Sequence, residues 1–188
     1  MIVLSSVTTK PTLGVVTVHE VKKQARIDEG YEDTEIEGML AAAEATVEAI
    51  CRRSFRPQTW TTYYKEVCVG TPERLVRPPI TSAVISYRDS ATTWAVATCT
   101  TIIEGDQCLW YPPSGTVPHC MDDGSPNWKA VVVCGGALDD FPAPIKQAIL
   151  ILATHLYEQR TPIVVGTIVS DVPLSISSLL APFTVPSV

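Results

Sequence analysis

Apolar positions recur at helical spacing in two long stretches of the chain. Ile36, Met39, Leu40, Ala43, Val47 and Ile50 fall at offsets of 3, 4, 7, 11 and 14, which trace one face of a helix. The pattern predicts a helix over 33–52 with Asp33 as its cap. Its acids, Glu32, Asp33, Glu35 and Glu37, sit at the start and its bases, Arg52, Arg53 and Arg56, at the end, as the helix dipole favours. The second stripe, Ile145, Ala148, Ile149, Leu152 and Leu156, predicts a helix over 144–160, with Pro144 in its first turn and Leu150 and Ile151 widening the apolar face. A shorter helix over 17–26 is announced by Thr17-Val-His-Glu20, a capping box in which side chain and backbone satisfy each other reciprocally.

Between these helices the period changes to that of strands. Gln58 to Val69 is dense in Thr, Trp, Tyr and Val without a breaker and predicts one long strand. Shorter strands are expected at 74–76, 83–88, 92–97, 99–103, 107–110 and 128–134, the later ones separated by turn residues such as Glu104-Gly-Asp106 and Asp123-Gly-Ser-Pro126. The expected fold class is α+β: a small helical bundle of three or more helices with an inserted antiparallel β-meander (58–134) and an extended C-terminal arm. An N-terminal extension (1–16) precedes the central domain (17–160), and the arm (161–188) follows it. The arm holds four prolines and a single charge, Asp171. It is too apolar for a solvated linker and too broken by proline for a long helix, so it is expected to bury itself against a partner, with only 174–180 long enough for a helical turn or two.

Composition narrows the function classes. Of 188 residues, 46% are hydrophobic, and 15 prolines with 10 glycines exclude a plain coiled coil. A net charge of −6 argues against holding nucleic acid or an acidic membrane by charge. No apolar run approaches the roughly 18 residues of a membrane span. The start shows no secretory leader, so synthesis in the cytoplasm and reduced cysteines are expected; the six cysteines include no C-x-x-C pair.

Candidate chemistry is sparse. Three histidines and no Gly-x-Ser-x-Gly offer no nucleophilic triad, and no phosphate loop or dinucleotide fingerprint occurs. His119, Cys120, Cys108 and Asp122 match no metal-ligand spacing, and His155 lies within a helix where packing explains it. Eight carboxylates between Asp28 and Glu48 spread around a helix whose other face is core, which describes a solvated face. Arg52, Arg53 and Arg56 are either a phosphate clamp or, more simply, partners of the dipole and of acids on an adjacent subunit. No catalytic residue, metal or cofactor is therefore expected, and the chain is read as an assembly component rather than an enzyme.

A series of ordered patches carries a resemblance. Val18 to Asp28, Asp33 to Ile50 and Arg53-Ser-Phe-Arg-Pro-Gln-Thr-Trp60 come first, followed by Leu75-Val-Arg-Pro-Pro-Ile80 with Val84-Ile-Ser-Tyr87. Pro144 to Arg160 and Leu179-Leu-Ala-Pro-Phe183 complete the series. In this order, over about 16–183, the chain resembles the head–tail connector (adaptor, or head-completion) proteins of long-tailed phages and phage-derived particles. The region 99–127 matches only loosely.

The resemblance implies a virion protein assembled in the host cytoplasm. It would form a ring of twelve copies beneath the portal protein at the phage neck, extend the DNA channel, and offer a surface to the next neck or tail-completion protein. Partners are then other copies of itself, the portal, that next protein, and double-stranded DNA passing without specific binding, with no membrane involved. The arm gains the portal as its partner, through Ile163, Val164, Val165, Ile168, Leu174, Leu179, Leu180 and Phe183. Adjacent copies would pair Glu32, Asp33, Glu35 and Glu37 with Arg52, Arg53 and Arg56 across a heterologous interface. Twelve copies at −6 each would carry −72, a sign that repels DNA and lets it slide. The alternatives are another tail-completion or terminator protein of the same module, or a small cytoplasmic hydrolase.

Overall fold

The structure is a computed structural model that describes residues 2–11, 14–28, 30, 32–68, 70–89, 93–105, 107–113, 125–136, 141–159 and 174–186. The chain divides into two compact units, one of Met1–Pro11 with Arg53–Ala137 and one of Thr12–Arg52 with Leu138–Val188. Helices and antiparallel strands are both present, so the fold class is α+β.

The sheet unit is built from strands β1 (Ile2–Thr9), β2 (Gln58–Tyr64), β3 (Glu73–Arg74), β4 (Ile80–Arg88), β5 (Trp94–Val96), β6 (Thr100–Glu104), β7 (Gln107–Tyr111) and β8 (Trp128–Cys134). A five-stranded sheet has the order β1-β2-β8-β4-β5 and a three-stranded sheet the order β3-β7-β6. The expected meander is thus corrected, because β8 inserts between β2 and β4. The physical reason is its composition: Trp128, Ala130, Val132 and Cys134 alternate onto one face and are all buried, so the strand belongs in the middle of a sheet. Register places Tyr64 and Tyr87 on either side of Trp128, and Thr62 and Ile85 on either side of Ala130.

That face closes over β7. Trp110 lies 5.5 Å from Trp128 and 5.6 Å from Tyr64, the latter edge-on, and all three side chains are fully buried. The Tyr64 hydroxyl donates to the Arg74 carbonyl at 2.9 Å, and burial pushes its phenol up to about 12, so it stays a donor at any ordinary pH. The predicted long strand stops at Tyr64 because Lys65 and Glu66 face solvent, while Val67 folds back into the same core. The N-terminal extension contains β1, an element that the sequence reading did not anticipate.

The helical unit contains α1 (Val18–Ala25), α2 (Asp33–Cys51), α3 (Ala143–Glu158) and α4 (Leu174–Leu180), with a 3-10 turn at Ala181–Phe183. The Thr17–Glu20 capping box forms as expected: the Thr17 amide and hydroxyl donate to the Glu20 carboxylate and the Glu20 amide donates to the Thr17 hydroxyl. Those bonds hold the Glu20 carboxyl below its ordinary value. Asp33 is not the cap of α2. Glu32 occupies that position without a side-chain bond to the helix, and Asp33 forms an ion pair with Lys22 of α1 instead. Ile36, Leu40, Ala43, Val47 and Cys51 of α2 pack with Ile145, Ala148, Ile149, Leu152 and Ala153 of α3 in the unit's core. The amides of Val15 and Val16 both donate to the Glu44 carboxylate on α2, at 2.5 and 3.1 Å, which seats these two buried valines against the helix.

Two outcomes follow. Trp110→Ala should cost about 3–5 kcal/mol, as large aromatic truncations in cores do. All four tryptophans lie in the sheet unit, so urea unfolding followed by tryptophan fluorescence reads that unit directly. Glu44→Ala strands two partly buried amides and should cost about 1–3 kcal/mol, seen as a lower melting temperature in the 222 nm helix signal.

Candidate assembly surfaces

Each of the residues marked by sequence for contact between copies now has a place. Glu32 accepts a 2.6 Å hydrogen bond from the Tyr157 hydroxyl of α3, and Asp33 is engaged by Lys22. Both acids are thereby used inside the helical unit. Glu35 and Glu37 are exposed on α2. Helix α2 ends at Cys51, and Arg52 follows it as a left-handed cap (φ 55) with an exposed side chain. Arg53 and Arg56 lie beyond the helix and belong to the sheet unit, so the expected basic helix terminus is corrected to Arg52 alone. Arg56 is only 6% exposed, and a guanidinium so buried cannot reach a neighbouring copy without unpacking its own unit.

The arm is divided in the same way. Ile163, Val164, Val165 and Ile168 lie outside the described residues, as do His119, Cys120 and Asp122. Leu174 opens α4. Leu180 is fully buried together with Ile176, one helical turn away, and Val185 follows with its amide donating to the Cys51 carbonyl at 3.0 Å. Residues 174–186 therefore pack on the chain's own helices α3 and α2 rather than waiting for a partner. Leu179 and Phe183 remain half-buried, with Ser177, Ser178, Ala181 and Pro182 exposed around them.

The sheet unit offers surfaces that sequence reasoning missed. On the face of the five-stranded sheet opposite the aromatic core, Leu4, Val84, Val96 and Val133 are exposed. The same face carries Lys129 over the Trp94 ring at 4.7 Å, with Tyr63 edge-on to that ring. The edge strands of this sheet are β1 on one side and the three-residue β5 on the other, and neither pairs further among the described residues. In the three-stranded sheet β6 is an edge, and all five of its residues are exposed. The signal available in the sequence was the run Ile2-Val-Leu-Ser-Ser-Val-Thr-Thr9, rich in β-branched residues and free of charge.

Other chemistry is muted. Among the described residues no group of three His, Cys, Asp or Glu side chains is placed to hold a metal ion, and no helix is long and apolar enough to cross a membrane. Cys51, Cys108 and Cys134 are buried, and the Cys134 thiol donates to the Ser54 hydroxyl at 3.2 Å. Burial raises the Cys99 thiol.

The fold defined by these two units, one helical and one of two antiparallel sheets, occurs in solved chains of gene transfer agent (GTA) particles. A chain from the neck of an empty GTA particle, computed with C6 symmetry, superposes with a TM-score of 0.78 at 17% identity, covering 99% of this chain and 97% of that one. A chain from the virion of a native GTA particle gives 0.74 at 16% identity over 99% and 97%. One from the neck of a native GTA particle, computed with C12 symmetry, gives 0.68 at 14% identity over 97% of each. No family model and no curated protein matches the chain.

Tyr157→Phe tests the internal use of Glu32. Losing the hydroxyl that bonds this partly exposed carboxylate should cost about 1 kcal/mol, read as a lower urea midpoint at 222 nm with the fluorescence transition of the sheet unit unchanged.

Proposed function

We propose that the chain is a structural protein of the neck of a phage-like particle, forming a ring that joins the portal to the tail or the next neck protein and extends the channel for DNA. The observation that carries this reading is the likeness of fold, over almost the whole length, to neck chains solved under sixfold and twelvefold symmetry. The order of the sequence patches, which resembles that of head–tail connectors, supports it independently.

In this role the protein does no chemistry. Copies meet through a heterologous contact that closes on itself. Of the charged residues first assigned to it, Glu35, Glu37 and Arg52 keep their side chains at the surface and form the proposed ion pairs. Residues 161–173 remain the proposed portal-binding segment, joined by Leu179 and Phe183, whose partly open side chains lie beyond α4's buried stripe. The net charge of −6 per copy suits a passage that DNA crosses without sticking.

The test is made in producing cells. Particles assembled without this chain should have heads but no attached tails, and a plasmid copy should restore joining. The Leu179→Lys/Phe183→Lys double variant should fold with a normal melting curve yet restore joining at least about tenfold less well, as expected when two apolar anchors are lost from a contact. Normal tailed particles in the absence of the chain would overturn the proposed role.

A further inference from the structure

Two strands of the sheet unit share a combination that folded domains usually avoid. Among the described residues, strand β1 pairs only with β2, and β6 only with β7. Both are largely exposed on their two faces, β6 at all five residues and β1 at all but Ser5 and Val7. Edge strands left open in this way are normally blunted by lysine, proline or inward charges. Strand β1 has no charged residue and no proline, and β6 has only Glu104 at its end. Register shifts at Val3 and Thr8 bound a regular stretch, Leu4–Val7, whose backbone runs in step with Tyr63 to Trp60 of β2. Its other side faces no strand among the described residues. The remaining edges are shorter, three residues in β5 and two in β3.

We infer that these two edges are complementary halves of one contact between copies: Leu4–Val7 of one copy adds as a strand to the open edge of β6, Thr100–Glu104, of the next. The backbone ladder supplies the hydrogen bonds, and the exposed Leu4 of one copy covers Ile102 or Ile103 of the other. The four-residue stretch matches the five-residue edge in length, and Glu104 at the end of β6 is the one charge on either strand. The choice of a second copy as the occupant rests on the ring reading proposed above. A cyclic ring of more than two copies needs two different patches that fit each other, whereas β1 on β1 or β6 on β6 would stop at a dimer. Strand addition from β1 to β6 meets that requirement and joins the five-stranded sheet of one copy to the three-stranded sheet of the next.

The experiment uses the full chain with one edge blocked at a time. Leu4→Lys/Ser6→Lys blocks β1, and Thr101→Lys/Ile103→Lys blocks β6; all four positions are exposed, so tryptophan-fluorescence melting should match the unsubstituted chain. Where a double variant melts early, Ser6→Lys or Thr101→Lys alone replaces it. Oligomeric state is followed by light scattering at rising concentration. The unsubstituted chain should form closed oligomers, each blocked chain alone should stay monomeric, and their equimolar mixture should stop at dimers, because only one productive joint remains.

A β6-blocked chain that still forms larger oligomers would assign the acceptor to another edge and overturn the proposal. So would a β6-blocked chain that dimerises through β1 alone, or an unsubstituted chain that remains monomeric at its solubility limit. The neck role is read separately by tail joining in particles, so that a failed edge contact and a failed neck role give different results.

Discussion

The spacing between the two sheets is set by three rings, and most of the sheet unit depends on it. Trp128 of β8 packs on Trp110 of β7, and Trp110 meets Tyr64 of β2 edge-on. Strand β8 is hydrogen-bonded on both sides, so fixing Trp128 fixes the register of β2 and β4 as well. The strand's exit is fixed too. Gly135 has φ +102, and a Cβ there would fall onto the Arg56 carbonyl, so only glycine lets the backbones approach this closely. The Gly135 amide donates to the Pro79 carbonyl and the Gly136 amide to the Phe55 carbonyl, at 2.9 and 3.0 Å. These bonds tie the starts of β4 and β2 to the end of β8, which is why one glycine pair governs three strands.

The helical unit is held by different means. Its core is the facing stripes of α2 and α3, and two polar clips supplement it: the Glu44 carboxylate on the Val15 and Val16 amides, and the Tyr157 hydroxyl on Glu32. Helix α4 then adds Ile176 and Leu180 to the same core. Four residues apart, these two side chains share one helical face, so the short helix has a buried side and an exposed side. That division explains why an almost uncharged tail can be partly internal and still present Leu179 and Phe183.

Much of this was legible in the sequence where the signal is local. The Thr17–Glu20 capping box, most of the α2 and α3 stripes and the bounds of β8 depend on neighbours within a turn or on strict alternation and stand where the pattern put them, though Cys51 and Ala153 are buried where Ile50 and Leu156 were expected. Strand order was not legible, because β8 pairs with strands some 70 and 45 residues earlier and nothing in its own residues names them. Strand β1 was missed because it is exposed on both faces and so shows no alternation. The fate of Leu180 was ambiguous for a related reason: an apolar residue announces that it will be covered, not whether its own chain or another will cover it. Among the assembly residues, the acids Glu32 and Asp33 and the base Arg56 looked available only because sequence cannot show Tyr157, Lys22 or burial beside them.

Charge adds a last constraint on how copies of such a chain can meet. At physiological ionic strength, fields fade over about 8 Å, so a net −6 does not forbid association but does decide which surfaces approach most easily. The exposed acids Glu35 and Glu37 crowd the first turns of α2, where like would meet like unless Arg52 of a neighbour intervenes. Strand β1 and the Leu179–Phe183 surface carry no charge at all. Contact there costs little desolvation of ionised groups, and the strand edge gains backbone hydrogen bonds that water otherwise supplies. Neutral edges and patches set among acids are the surfaces of an acidic chain that cost least to cover, and in this chain such neutral surfaces are found in both units.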